Sequence, residues 1–468
     1  MSTSARQFPP WINGVGLVSA CLLSGFLVIV KPCWADALET TRLLDVLSAA
    51  LCLLLAAHFF RGTAALPVLF GRRARGWKRI WYLAGVLAAL SVVPQVSKIT
   101  LPLLFVVHVV MFFYTRLYSI ENILFQNSLF HLAVARVAWW PEWAGWVPAG
   151  AMVPRVEAAS LNALFVSLGI LMYSAGFEKL KSPLWRKGEG TLQFFRQRHL
   201  IRPFFSKLSA LVPTSLFVGL GYLVHGAELA LLPAFFSPAA LLPIAIVLAA
   251  FSFSLFIVTD ISFIGQILVV QLGVLIWTVM SRHGCLWLGG GEPLHGEDWV
   301  FLASAFVTCI AVHLPAFSQR TGIKWLQHLG NGINTPISVF TEAHQEGVMV
   351  YRFRLTAEGR QIPVPQVFME DGTPGVLQQQ RPRYLQSSMY LVGRIVRTAA
   401  RDGMLSPKDE DFLLDLMASG LQCCHARPAT VQLFIADSRY HENPVWRLFT
   451  TGDFITPETA SLTLHCNA

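Results

Sequence analysis

The stretch that decides the fold is Tyr173-Ser-Ala-Gly-Phe-Glu-Lys-Leu-Lys-Ser-Pro-Leu-Trp-Arg-Lys-Gly188. It follows a long apolar run and places two ionisable residues, Glu178 and Lys179, where the chain is expected to leave a membrane. Long basic side chains at such a helix end usually extend to the membrane surface. Two interpretations therefore compete: Lys179 is a surface anchor with Lys181 and Arg186, or it is a chemical group that faces a cavity.

The composition of the whole chain indicates a polytopic membrane protein. Of its 468 residues, 54% are hydrophobic and only 13% are charged, whereas an ordinary soluble domain has about 25% charged residues. The basic residues behind the net charge of +9 lie mostly in short loops between apolar runs. That distribution suits membrane topology and anionic lipid headgroups. We therefore predict the lipid bilayer as a partner, and no nucleic acid.

Ten runs approach the length of about 20 mostly apolar residues that a membrane-spanning helix needs. They are 12–32, 43–60, 80–96, 99–117, 122–140, 158–178, 211–233, 238–260, 263–281 and 299–317. The run 122–140 is the weakest, because Asn127, His131 and Arg136 interrupt it. We expect an all-α polytopic membrane bundle of about ten helices.

The composition becomes polar after about residue 318, which divides the chain into a transmembrane domain at 1–318 and a soluble α+β domain at 319–468. The elements predicted for the second domain are strands at 348–355, 360–369, 430–435 and 445–449 and helices at 376–401 and after Ser406. Alternating apolar residues indicate the strands, and a Ser-Pro pair indicates the start of the second helix.

The orientation follows from the positive-inside rule. Lys and Arg residues concentrate in the loops at 61–79 and 181–207 and are scarce in the alternate loops. This predicts a multi-pass protein of a bacterial inner membrane with both termini in the cytoplasm. The Trp-rich segment 139–146 then lies at the outer interface.

Ionisable side chains inside apolar runs are costly and are therefore functional candidates. They are His58, His108, His131, Glu178, Lys179, His225, Glu228, Asp260 and His313. His225 and Glu228 are three residues apart on one helical face, where they form either a proton relay or a structural contact. No set of His and Cys residues has the spacing of a metal site, so we predict no metal. A lysine held against apolar walls can lose its proton and act as a base.

A family resemblance rests on the opening stretch. Tyr173, Ala175-Gly176 and Lys179-Leu180, followed by Trp185 and Gly188, resemble the core motif of the vitamin K-dependent gamma-carboxylase-like membrane proteins, the horizontally transferred transmembrane domain group. Residues 198–204 also resemble the segment that follows the motif in that family.

This resemblance implies a membrane-embedded enzyme that uses a reduced, vitamin K-like quinone. The implied catalytic residues are Lys179, as the base, and Tyr173, as a pocket residue. The candidate cofactor-binding residues are Gly176, Phe177, Trp185, His225 and Glu228. The implied reaction is deprotonation of the quinol followed by a carboxylase-like or lyase step.

The chain also departs from the family pattern. Glu178 stands at the family's second lysine, Ala250-Phe-Ser-Phe-Ser254 lacks the family's histidine, and the large lumenal region is missing. Two alternatives therefore stay open. One is a non-catalytic membrane module that binds lipid or a protein or peptide partner. The other is a proton-coupled transporter that uses His225, Glu228 and Asp260.

Overall fold

The fold consists of a helical part followed by a small antiparallel sheet. The computed structural model describes residues 37–62, 74–115, 120–146, 153–180, 183–196, 201–209, 211–259, 262–281, parts of 299–311, 349–364, 366–371, parts of 375–400, 402–421, 429–437, 444–454 and 460–464. The helices of the first part are α1 (Ala37–Gly62), α2 (Ala74–Leu90), α3 (Pro94–Thr115), α4 (Ile120–Val137), α5 (Trp139–Trp143), α6 (Val153–Leu180), α7 (Pro183–Arg186), α8 (Glu189–Arg196), α9 (Pro203–Ser209), α10 (Thr214–Ala234), α11 (Pro238–Val258) and α12 (Ser262–Met280).

Within the described residues, five helical stretches are long and apolar enough to cross a membrane. They are Thr41–Phe60, Pro94–Met111, Val153–Leu180, Thr214–Ala234 and Ala239–Val258, and Ile264–Met280 is a shorter apolar helix. These helices support the prediction of a multi-pass membrane protein. The predicted run 12–32 lies outside the described residues and 299–317 is described only in part, so the count of ten stays a prediction.

One predicted run has the wrong end. Residues 80–96 were expected to form one span, but α2 ends at Leu90 and α3 begins at Pro94. Proline lacks a backbone N–H and its ring clashes with the preceding helical turn, so it favours the first turn of a helix. Ser91 lies in this break and links the two helices. Its hydroxyl donates to the Leu87 carbonyl of α2 and lies 2.7 Å from the Thr100 hydroxyl of α3.

The C-terminal sheet has the strand order β2-β1-β3-β4-β5, with every neighbouring pair antiparallel. Its elements are β1 (Met349–Ala357), β2 (Arg360–Ile362), α13 (Pro407–Leu421), β3 (Ala429–Asp437), β4 (Arg447–Phe454) and β5 (Ala460–Leu464). β2 is shorter than predicted because Pro363 cannot donate to the ladder. β5 was not predicted, and most of the predicted helix 376–401 lies outside the described residues. Ser406 caps α13 as expected, since its hydroxyl accepts the Asp409 N–H at 3.2 Å.

Helix α6 is the centre of the membrane part and packs against α1, α4 and α10. Two glycines let α10 approach closely. A Cβ at Gly169 would lie 3.0 Å from a ring carbon of Phe235, and a Cβ at Gly176 would lie 3.0 Å from Leu229 Cγ. Small residues at such contacts are the usual way in which membrane helices pack tightly. This close contact sets the distance between α10 and the C-terminal half of α6.

The α6–α10 contact predicts a difference between two alanine substitutions. Gly176→Ala should lower the free energy of unfolding by about 1–3 kcal/mol, because the added methyl overpacks the contact. Gly226→Ala, on α10, should be neutral or stabilising, because nothing lies within 4 Å of its added Cβ. Thermal unfolding of both proteins in the same detergent measures the difference. Equal midpoints would show that the helices do not depend on this contact.

Candidate functional site

Lys179 is buried and ion-paired at the last turn of α6. Only 4% of its surface is exposed. Its Nζ donates to both carboxylate oxygens of Glu228 on α10, at 2.5 and 2.7 Å. Glu228 is equally buried, at 4% exposure. The geometry excludes the interpretation of Lys179 as a lysine that extends to the membrane surface.

An aromatic ring lies against the same ammonium group. The Lys179 Nζ lies 4.7 Å from the centre of the Trp185 ring, and a cation in this position is attracted by the face of the indole. Trp185 belongs to α7, which the chain forms directly after leaving α6. Its ring also packs on Gly190, where a Cβ would come within 2.3 Å of the indole. The pair and the ring therefore form one buried unit.

A reversal of the chain holds α7 and α8 against α10. Gly188 has φ +73°, a conformation that favours glycine. A Cβ there would also lie only 2.7 Å from Val218 Cγ1 on α10. The Tyr222 hydroxyl, on the same helix, donates to the Arg186 carbonyl at 2.9 Å. These contacts turn the segment after α6 back over the ion pair.

His225 and Glu228 do not form the relay that their spacing suggested. His225 Nε2 lies 2.8 Å from the Gly176 carbonyl oxygen, so Nε2 carries the hydrogen and donates it. Glu228, one turn further along α10, binds Lys179 instead. Both side chains therefore contact α6, because their shared face is the one that packs against it.

A mainly apolar cavity adjoins the ion pair. Its volume is about 90 Å³. It is lined by Ile123, Leu124, Leu171, Met172, Ala175, Lys179, Trp185, Thr191, Phe194, Glu228, Leu248, Phe251, Ser252, Leu255, Ile264 and Leu268. Lys179, Glu228, Thr191 and Ser252 are its polar side chains, and aliphatic and aromatic groups form the rest.

Three of the predicted site residues line this cavity and four do not. Lys179, Trp185 and Glu228 are in the wall. Tyr173, Gly176, Phe177 and His225 are not among its lining residues, and the role of Tyr173 stays a prediction. Tyr173 and Phe177 stack on each other, with ring centres 6.2 Å apart. The reason is helical geometry, because six residues at about 100° each place Tyr173 about 120° away from Lys179.

Most of the wall residues were not predicted from the sequence, among them Thr191, Phe194, Phe251 and Ser252. Thr191 and Phe194 are buried residues of α8, three apart, and follow the glycines Gly188 and Gly190. The spacing of these two residues shortly after Trp185 was the sequence signal that could have identified them as site residues. Ser252 lies within the segment 250–254, which carries no ionisable side chain. Its hydroxyl donates to the Leu248 carbonyl at 2.7 Å.

A second cluster of charges lies at the opposite end of α6. Arg136 of α4 donates to Glu157 of α6 at 2.7 Å and to Asp45 of α1. Thr41 and Trp139 also donate to Glu157, at 2.7 and 3.1 Å. This cluster explains why Arg136 interrupts an apolar run. Glu157 and Lys179 are 22 residues apart, about 33 Å along a helix, so the two clusters lie near opposite membrane surfaces.

The described residues contain no group of three or more His, Cys, Asp and Glu side chains that can hold a metal ion. The chemistry of the described site is therefore that of an amine, a carboxylate, two hydroxyl groups and aromatic rings.

The ion pair predicts a double-mutant result. Glu228→Gln should lower the free energy of unfolding by about 3–5 kcal/mol, because it leaves the Lys179 ammonium buried without its counter-charge. Lys179→Met combined with Glu228→Met should recover most of that loss, because two apolar chains replace two charges. Thermal unfolding of the single and double variants decides this. A Glu228→Gln protein as stable as the wild type would show that the pair is not buried.

Comparison with models of protein families, with curated proteins and with solved structures gives no match for this chain. The likeness to the carboxylase-like membrane proteins therefore rests on the residues of the opening stretch and on residues 198–204. Those residues supply the lysine and tryptophan of the cavity.

Proposed function

We propose that this protein binds a lipid-soluble molecule of the quinol type in its membrane part and transfers a proton at the polar head of that molecule. One observation supports this above all: the Lys179–Glu228 ion pair lies in the wall of an otherwise apolar cavity. Ionisable groups in a membrane interior usually mark substrate sites or proton pathways.

The side chains of the cavity fit such a molecule. A reduced quinone has a flat aromatic head with hydroxyl groups and an apolar tail. Trp185, Phe194 and Phe251 offer aromatic contacts to the head, and the ion pair offers hydrogen bonds to a hydroxyl group. Aliphatic side chains from α11 and α12, such as Leu248 and Leu268, offer an apolar path for the tail.

A reduced quinone, when bound, supplies a hydroxyl group whose deprotonation starts its oxidation chemistry. The residues of this chain would provide the base. Lys179 shares its hydrogen bonds with Glu228 at 2.5 and 2.7 Å, so passing one proton to the carboxylate leaves a neutral amine. That amine can then accept a proton from the ligand. The base is therefore the pair, whereas the sequence pointed to Lys179 alone.

The carboxylase-like step implied by the resemblance is part of this proposal. A non-catalytic module that binds a lipid is the second candidate, since the same cavity would serve it without proton transfer. The transporter alternative needs Asp260, which lies outside the described residues. Its other two residues, His225 and Glu228, each bind α6.

We further propose that about ten helices form the membrane part and that residues 319–468 form a soluble domain. Arg186 and Lys187 are exposed within the basic loop 181–207, close to the ion pair along the chain. By the positive-inside rule this end of α6 faces the cytoplasm, together with both termini.

Ligand binding is tested by filling the cavity. A short-chain quinol should raise the midpoint of thermal unfolding of the purified protein, because a ligand that binds only the folded state stabilises it. Ala175→Phe, in the cavity wall, should abolish this rise. Ala250→Phe, on the exposed face of α11, should preserve it and is the matched control. Loss of the rise in both variants, or in neither, would contradict this location of the site.

Proton transfer is tested at Lys179 itself. Lys179→Arg keeps the positive charge beside Glu228, but arginine cannot be deprotonated in proteins. The variant should therefore bind the quinol and lose proton release, measured with a pH indicator in weakly buffered detergent solution. Proton release by Lys179→Arg at the wild-type rate would contradict the role of Lys179 as base, whereas quinol binding without proton release by the wild type would favour the non-catalytic module.

A further inference from the structure

A line of buried polar side chains leads from the Arg136 cluster toward the cavity. It lies among α1, α4, α6 and α12, which pack on one another. The line consists of Asp45, Arg136, Glu157, Ser160, His131, Ser167, Thr308, Asn127, Ser128 and Gln271. Its two ends are different: Asp45 is 30% exposed, whereas Gln271 is buried near the cavity.

Hydrogen bonds join the middle of this polar line. His131 Nε2 lies 2.7 Å from the Ser167 hydroxyl, which lies 3.0 Å from the Thr308 hydroxyl. One turn along α4, Gln271 Nε2 donates to the Ser128 hydroxyl at 2.6 Å. These bonds link α4 to α6 and to the helical residues around Thr308, and a separate bond links α4 to α12.

Four atoms of the polar line have no hydrogen-bond partner within the described part of the chain. They are Arg136 Nε, Ser160 Oγ, His131 Nδ1 and Gln271 Oε1. Each belongs to a side chain that is at most 2% exposed. Buried polar groups are almost always satisfied, and internal water is the usual partner when no protein group serves. Donors and acceptors are both present among the four, as a bridging water requires.

The inner end of the polar line adjoins the cavity. Leu124 and Leu268 line the cavity. Ser128 lies four residues after Leu124, and Gln271 lies three residues after Leu268, so both are one turn further along the same helix face. The Ser128–Gln271 hydrogen bond is therefore the next polar layer behind the cavity wall.

The outer end of the polar line favours protons. One positive charge, on Arg136, faces two carboxylates, Asp45 and Glu157, at hydrogen-bond distance. Lys98 interacts electrostatically with these three groups and with Glu142, so three carboxylates face two cations, and the net negative charge attracts a further cation. Asp45 is the member of the cluster that reaches the surface.

We propose that internal water molecules bind these four atoms and form a proton path between Asp45 and the inner wall of the cavity. The path serves the proposed function and rests on it, because it would carry a proton given up in the cavity to the opposite membrane surface. A proton that leaves the Lys179–Glu228 pair passes to water in the cavity. Each water along the line accepts one proton and donates one, and one proton leaves at Asp45.

Hydration of the path is tested on the unmodified protein. Solid-state NMR of the full chain in lipid bilayers, with labelled histidine, measures magnetisation transfer from water to each imidazole. His131 should receive it at least fivefold faster than His225. His225 is the control because its Nε2 already donates to the Gly176 carbonyl. Equal transfer to both histidines, or none to His131, overturns the proposal.

Proton movement is tested with two glutamine variants of α12. Gln271→Leu should slow quinol-induced proton release at least tenfold while the quinol-induced rise in unfolding midpoint persists. Gln266→Leu, the same change on a different face of α12, should release protons within twofold of the wild type. If the quinol binds and Gln271→Leu releases protons at the wild-type rate, the path is overturned.

The two proposals fail in different ways. If no quinol raises the unfolding midpoint of the wild type, the proposed function fails, and the NMR signal at His131 still decides whether the line holds water. If water reaches His131 but no quinol binds, the polar line is hydrated, but its proposed role in carrying protons from a quinol is contradicted.

Discussion

Burial of the Lys179 ammonium is the physical constraint on which the described membrane part depends. An unpaired charge in an apolar interior is far more costly than a paired one, so Lys179 and Glu228 must meet. They meet because glycines at 169 and 176 let α6 and α10 approach. The chain must then reverse at Gly188, which brings Trp185 over the ammonium. Close helix contact, chain reversal and aromatic cover are thus consequences of one buried charge.

Both ends of α6 carry a buried charged side chain, but the surroundings of the two charges differ. At the Glu157 end, Arg136, Thr41 and Trp139 all donate to the carboxylate, and the charges fasten three helices. At the Lys179 end, the pair is left beside a cavity with an apolar wall. The Glu157 carboxylate is occupied by donors of the protein itself, whereas the pair at Lys179 faces open space and can meet a ligand. This contrast is why we place function at Lys179.

Hydropathy and charge predicted much of the fold, because both act locally along the chain. They indicated apolar spans and the cap at Ser406. Neither property predicts which faces of two helices contact each other. The pairing of Glu228 with Lys179 instead of His225 depends on which faces of α6 and α10 meet. The exclusion of Tyr173 from the cavity depends on the same rotation. Pro94 indicated that α2 ends before it. The apolar residues on both sides of this proline favoured one continuous span instead, which led to the wrong end.

The most direct test of the account is photoaffinity labelling with a short-chain quinol that carries a photoreactive group, followed by mapping of the labelled residues. The account predicts labels on the cavity wall, at Ala175, Phe194 or Phe251, and competition by unmodified quinol. Labels confined to the exposed apolar face of α10, at Leu216, Leu220 and Leu223, without competition, would contradict it. That result would mean that the quinol only dissolves in the lipid around the helices.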